Sequence, residues 1–278
     1  MKTITAHVMV KNEDRYLWYA IKSVIDFVDK LIIFDTGSTD NTIDIIELLC
    51  KEYGKKIIFE NKGIADRGRL GKLRQEMLEM TDTDYFMILD GDEIWWEKSI
   101  KEAIDILNHK EPYLLATHYI NCARDIWHYR EPSRDVFPFL DKKAAASIRF
   151  YSMNIPGIHC GGAYGVEGFW DEDECEVQCG KYKIEWQLSK YFHTSYIQRS
   201  TKQYADMKAF SRVKKMVMAY DYKFEKNYAF PEVFYLSKPN IVKSPFENDV
   251  SLFRKIIYFV LDGLKVRRII DKVRELIK

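Results

Sequence analysis

The sequence predicts an α/β fold: a mostly parallel central sheet flanked by helices, with a helical extension at the C-terminal end. Three observations carry this. Short apolar runs alternate with segments of helical spacing through the first 90 residues, as strands joined by crossover helices do. The runs are apolar at consecutive positions, the pattern of strands covered on both faces. The segment 251–278 has the spacing of a basic amphipathic helix.

The elements follow in order. Thr3 to Val10 reads as the first strand and Lys11-Asn12-Glu13-Asp14 as a polar turn. Tyr16, Ala20, Val24 and Phe27 stand at helical spacing, which predicts a helix over 15–27. Lys30 to Phe34 is a second buried strand, ending in the acidic loop Asp35 to Thr42. Asp40 or Asn41 can cap the helix that follows, and Gly54 stops it after Tyr53. Lys56 to Glu60 reads as a third strand. A cluster of Arg67, Arg69 and Lys72 precedes a helix over 71–80 that carries Arg74 and Gln75. Tyr85 to Leu89 is the next buried strand, and it ends abruptly in Asp90-Gly91-Asp92-Glu93.

Beyond that point a helix is predicted over 97–108, a strand over 113–119, a long loop over 121–146 and a strand over 147–151. The glycine-rich stretch 155–168 leads to Glu167 and the acidic run from Asp171. Lys183 to Trp186 and Tyr191 to Tyr196, which holds His193, read as separate edge strands or connecting segments, and 201–219 as a helix. Residues 1–200 are expected as one domain and 201–278 as the helical extension.

Composition narrows the function classes. The net charge of +1 leaves no global footprint for nucleic acid. No signal peptide is expected at the N-terminus, and no apolar run reaches the roughly 18 residues of a membrane-spanning helix. Five cysteines without a secretory signal suit reduced cytosolic thiols, so a cytoplasmic protein is expected. His159, Cys160, Cys175 and Cys179 match no standard zinc spacing. The basic tail 251–278 suits packing on the chain's own core, a second subunit, or an anionic membrane surface touched from the cytoplasmic side.

The chemistry concentrates at strand ends. Glu13 and Asp14, Asp35, and Asp90 to Glu93 each follow a predicted strand. Ligands of open α/β sheets sit outside the carboxyl ends of the strands. Carboxylates gathered there suit a hard divalent cation, Mg²⁺ or Mn²⁺, with a nucleotide.

Val10-Lys11-Asn12-Glu13, the loop Asp35 to Thr42, Arg74-Gln75 and Leu89-Asp90-Gly91-Asp92-Glu93, in that order and spacing, resemble the family 2 glycosyltransferases of the GT-A (Rossmann-like) fold. The chain looks similar to bacterial lipopolysaccharide-core and polysaccharide sugar transferases, firmly over residues 3–110. The resemblance implies a nucleotide-sugar donor, most often a UDP-sugar, bound by 1–110, and an acceptor side over 111–200. It also implies Mn²⁺ or Mg²⁺. By position, Asp35 and Thr36 would line the nucleoside pocket, with Asn12 and Glu13 flanking it. Arg74 would support the base or diphosphate, Asp90 would face the ribose and donor sugar, and Asp92 would bind the metal. His193 resembles the late histidine that approaches metal and diphosphate. An inverting transfer needs a general base behind the sugar carbon. Relatives often place a His-Glu pair there. This chain keeps Glu167 without the histidine, with Asp171 as second candidate. The acceptor would be a glycan, a glycolipid or another hydroxyl. Two alternatives stand beside this one. A sugar-nucleotide pyrophosphorylase would need a glycine-rich loop after the first strand, where Lys11-Asn12-Glu13-Asp14 stands. A non-catalytic nucleotide-sugar-binding module would lack metal-dependent turnover.

Overall fold

The structure, a computed structural model, describes residues 1–131, 137–139, 142–161, 168–202 and 221–247. Its elements are β1 (Ile4–Val10), α1 (Leu17–Val24), β2 (Lys30–Asp35), α2 (Thr42–Tyr53), β3 (Ile57–Asn61), α3 (Arg67–Glu79), β4 (Tyr85–Ile88), β5 (Glu93–Trp95), α4 (Glu97–Lys110), β6 (Leu114–Ala123), β7 (Asp125–Arg130), β8 (Phe137–Phe139), β9 (Lys142–Ala144), β10 (Ala146–Ser152), β11 (His159–Gly161), β12 (Gly168–Trp170), β13 (Ile184–Tyr196) and β14 (Asp221–Lys223). The central sheet runs β3-β2-β1-β4-β10-β6-β7-β14, with β13 beside β6 and β5 beside β13. β3, β2, β1 and β4 are parallel, and β10 turns the sheet antiparallel. The α/β class expected from the sequence is the class observed.

Period-2 burial explains the consecutive apolar runs. On β2, Leu31 and Ile33 face the main core with α1 and α2, while Ile32 and Phe34 meet Leu73 and Met77 of α3. On β4, Tyr85 and Met87 face the main core, and Phe86 and Ile88 face a second one with Ile148, Tyr151 and Phe169. Each strand therefore needs apolar residues at both parities. Helix ends follow local chemistry. Asp40 Oδ1 accepts the Thr42 N–H at 3.0 Å before α2, and Gly54 takes φ +55° after it.

Register builds the site. Val10 pairs with Asp35, and His7 with Ile88, so the carboxyl ends of β1, β2 and β4 share one edge. β13 lies antiparallel to β5, with His193 opposite Glu93, and parallel to β6, with His193 opposite Asn121.

Four expectations need correction. α3 begins a turn before residue 71, because Asp66 caps it by accepting the Arg69 N–H at 2.9 Å. The predicted loop over 121–146 instead carries strand β7, which folds back on β6 after Arg124 turns at φ +72°. The two predicted edge segments over 183–196 are one interior strand, β13, whose register slips between Gln187 and Lys190. Of the predicted C-terminal helical extension, residues 221–247 contribute β14 and a short 3-10 turn, Glu232–Tyr235. Phe224, Phe230, Phe234 and Phe246 form an aromatic cluster with Trp127 and Phe192 there. Pro231, Pro239 and Pro245 interrupt any helix in that stretch. The helix over 201–219 falls mainly, and the tail 251–278 wholly, outside the described residues. Among the described residues no helix is long and apolar enough to cross a membrane.

Candidate active site

Two clusters occupy the shared strand edge. The first is built around Asp35, the fully buried last residue of β2. Its Oδ1 accepts the N–H of Gly37 and of Ser38, each at 2.9 Å, and so shapes the loop after it. Gly37 has φ +93°, and a Cβ there would meet Ile64 at 3.0 Å, so glycine is required. Asp35 Oδ2 is buried and, among the described residues, has no hydrogen-bond partner. A buried acceptor left open costs free energy unless a ligand fills it. Thr36 donates its hydroxyl to the Val10 carbonyl at 3.0 Å and fixes the two strand ends together. Asn12, at φ +56°, accepts the Thr39 N–H at 2.8 Å and donates its own N–H to the Ser38 hydroxyl at 2.8 Å. Thr36 and Asn12 thus position the loop that Asp35 opens.

The second cluster is the acidic corner after β4. Asp92 is 2 % exposed. Burial alone would raise its pKa, but His193 and Arg199 outweigh that and hold it well below the usual carboxylate range. Asp92 Oδ1 lies 3.5 Å from His193 Nε2, and Oδ2 lies 3.2 Å from Arg199 Nη1. The same Arg199 nitrogen reaches Glu13 Oε1 at 2.5 Å, which ties the turn after β1 to the corner. Burial pushes the His193 pKa down, and the Asp92 carboxylate more than offsets it, so the net direction is up. The Asp92 carbonyl also accepts the Thr194 N–H at 2.9 Å, which anchors the corner to β13.

Behind these lies Arg149 of β10. Its guanidinium pairs with the fully buried Glu93 and reaches Asp90 Oδ2 at 3.4 Å. Its Nε donates to the Tyr191 hydroxyl at 3.1 Å. Glu93 is pushed up to about 7 by burial, with Arg149 pulling it back and Asp90 and Asp92 adding to the rise. Asp90 itself is the open member, its side chain 39 % exposed. Gly91 is needed between them, since a Cβ would meet Val10 Cγ1 at 3.0 Å and Glu13 Cγ at 3.1 Å.

The structure therefore brings Asn12, Glu13, Asp35, Thr36, Asp90, Asp92 and His193 to one edge. Arg74 stands apart, in α3, lining a cavity with Arg149 and Tyr151. Glu167 lies outside the described residues. Asp171 is fully buried, and its acceptors are in use. Oδ2 takes the Lys181 ammonium at 2.5 Å and the Tyr182 hydroxyl at 2.7 Å, and Oδ1 takes the N–H groups of Asp173 and Cys175 at 3.0 Å. It clasps its own turn, which argues against the role of base that its place in the chain suggests. Sequence reasoning missed Arg149 and Arg199. A lone arginine between Ile148 and Phe150 in a buried strand was the available signal for the first, because such a charge needs a carboxylate partner.

The donor atoms fit a hard divalent cation. Asp92 supplies a carboxylate, and the His193 nitrogen facing it, Nε2, stands 3.5 Å from Oδ1. Among those residues no three His, Cys, Asp or Glu side chains form a closed metal cage. Mg²⁺-type ions need none, since they take one or two carboxylates and complete the shell with substrate phosphates and water.

Residues 5–165, more than half of the chain, match the sequence model of "Glycosyl transferase family 2". A teichoic acid poly(glycerol phosphate) polymerase of Staphylococcus epidermidis is 26 % identical over 176 residues, covering 57 % of this chain and 23 % of that protein. The chain thus spans about a quarter of that relative's length. Among solved structures, S. aureus TarS 1-349 in complex with UDP-GlcNAc is 16 % identical with a TM-score of 0.47, over 73 % of this chain and 60 % of that one. The mannosyltransferase PcManGT from Pyrobaculum calidifontis, in complex with GDP-Man and Mn²⁺, is 14 % identical with a TM-score of 0.39, over 55 % and 45 %.

Proposed function

This chain belongs to glycosyl transferase family 2, and from that premise we propose that it moves a sugar from a nucleotide sugar, a UDP-sugar, to an acceptor hydroxyl, with inversion and with a divalent cation. The observation that carries the proposal is the corner itself: a buried, ionised Asp92 held by His193 and Arg199, beside the open acceptor of Asp35.

Each residue then has work to do. Asp35 Oδ2 accepts an N–H or hydroxyl from the nucleoside. Asp90, half exposed, takes hydroxyls of the ribose and donor sugar. Asp92 and His193 would hold the cation, Mn²⁺ or Mg²⁺, which would supply Lewis-acid stabilisation of charge on the leaving diphosphate. Glu13 holds Arg199 against the corner, so one guanidinium balances two carboxylates before substrate arrives. Arg149 keeps Glu93 and Asp90 from repelling Asp92 out of place. Glu167 is the proposed base, supported by its place in the chain and by the clasp that occupies Asp171. Residues 1–110 form the donor half and 111–200 the acceptor side.

The test is nucleotide release by the full chain from a panel of UDP-, GDP- and dTDP-sugars, with Mn²⁺ and with chelator. Release from a UDP-sugar that needs the metal is expected. No release from any donor would contradict the proposal and leave a nucleotide-sugar-binding module.

A further inference from the structure

A cavity of about 300 Å³ lies between α3, the end of β4, β10 and the hairpin β11–β12. Its walls include Arg74, Arg149, Tyr151, Phe169 and Gln178. The hairpin is held on α3 by Gln75, whose Oε1 accepts the Cys160 N–H at 2.7 Å. None of Asn12, Glu13, Asp35, Thr36 or Asp92 lines it, so it is distinct from the donor edge. Gly168, which follows Glu167 in the chain, does line it.

One carboxylate stands at this wall: Glu176 Oε1 lies 3.4 Å from where a Cβ on Gly168 would be. Arg149 is neutralised by Glu93 and Asp90. Arg74 is half-buried and, among the described residues, has neither a carboxylate nor a hydrogen-bond acceptor on its guanidinium. Its field is felt inside the protein. The buried His7 is pushed down to about 3, first by burial and then by Arg74. Burial pushes Tyr151 up to about 12, with Arg149 and then Arg74 working against it and Glu176 adding to the rise. A half-buried guanidinium facing a walled space, with a phenol and an amide beside it, is a receptor for an oxyanion.

We propose that this cavity takes an anionic group of the acceptor, a phosphate or carboxylate carried near the hydroxyl that receives the sugar. The assignment rests on the transferase reading above, and it moves Arg74 from the donor's base or diphosphate to the acceptor. Arg74 supplies the charge, the Tyr151 hydroxyl and Gln178 amide supply further donors, and Arg149 links the cavity wall to the acidic corner.

The experiment uses the full chain and a matched pair of probes, glucose and glucose 6-phosphate, with inorganic phosphate as a third. Their binding is followed by calorimetry, and UDP binding with Mn²⁺ is measured in parallel. The phosphorylated probe should bind about tenfold or more tightly than glucose, phosphate should compete with it, and Arg74→Gln should remove most of that preference. Arg74→Lys should keep part of it, and Tyr151→Phe, which preserves packing, should weaken it by a smaller factor. The loss in Arg74→Gln should fall on the phosphorylated probe and not on UDP. If it falls on UDP instead, Arg74 belongs to the donor diphosphate and the proposal is overturned. Equal binding of glucose and glucose 6-phosphate to a chain that binds UDP also overturns it, with the transferase assignment left standing. A chain that binds neither UDP nor the probes overturns both.

Discussion

Replacing Arg149 by methionine removes a guanidinium while keeping much of its stem. The side chain is 11 % exposed and its partner Glu93 is fully buried. Breaking one side of such a pair strands a charge in the interior and costs about 3–5 kcal/mol. Against the roughly 5–15 kcal/mol by which a domain is stable, that is a large share. The cost should depend on pH. Glu93 is already pushed from 4.5 up to about 7 by burial, against the pull of Arg149, and without Arg149 it rises further. A carboxyl whose folded pKa exceeds its unfolded value binds more protons when folded. Its folded state is therefore favoured at low pH and loses stability as pH climbs from 4.5 through the folded pKa. The variant extends that loss upward, by about 1.4 kcal/mol for each unit of added rise. Urea unfolding followed by tryptophan fluorescence should thus show a larger deficit at pH 8 than at pH 5. Trp95 is a suitable reporter, stacked on Tyr191 at 5.2 Å beneath the pair. Adding Glu93→Gln to the variant should recover most of the loss, because no charge is then stranded. A deficit under about 1 kcal/mol, the same at both pH values, would refute the claim that this pair holds the corner.

Other outcomes follow from the same structure. Gly91→Ala should push Glu13 away from Arg199 and cost about 1–3 kcal/mol by overpacking, with weaker Mn²⁺ binding by spin resonance; unchanged binding would show that the corner tolerates a Cβ. Asp171→Ala should lower the melting temperature while turnover falls less than the roughly 100-fold expected on losing a general base; the reverse pattern would restore Asp171 as the base. His7, at about 3 when folded and 6.5 when unfolded, binds its proton more readily in the unfolded chain. Stability from this group is full above 6.5 and falls as pH drops toward 3. His7→Gln should flatten that acid limb in urea midpoints, and an unaltered slope would contradict the assignment.

The parallel half of the sheet was legible because its strands are buried on both faces and its acidic groups sit at strand ends, where chain order alone collects them. Asp35, Asp90 and Asp92 were read this way, while His193, inside β13, was named only through the family resemblance. What escaped the sequence depended on long-range partners. Arg199 belongs to no strand or motif, and only the fold brings it 107 positions back to Asp92. β13 was split in two because polar Gln187, Ser189 and Lys190 interrupt its apolar pattern, yet a register shift carries the strand through. β7 was hidden because Arg124, and no glycine, makes the turn. Asp171 read as a candidate base because a carboxylate near a glycine-rich stretch looks the same whether it faces substrate or Lys181.

The most direct measurement is metal-dependent nucleotide release in Asp92→Asn. The substitution keeps shape and removes the charge that His193 and Arg199 balance. The account predicts a folded variant that no longer holds Mn²⁺ in the presence of UDP and whose release of UDP from its sugar falls by roughly 1,000-fold. Wild-type release rates with the same dependence on Mn²⁺ would contradict it.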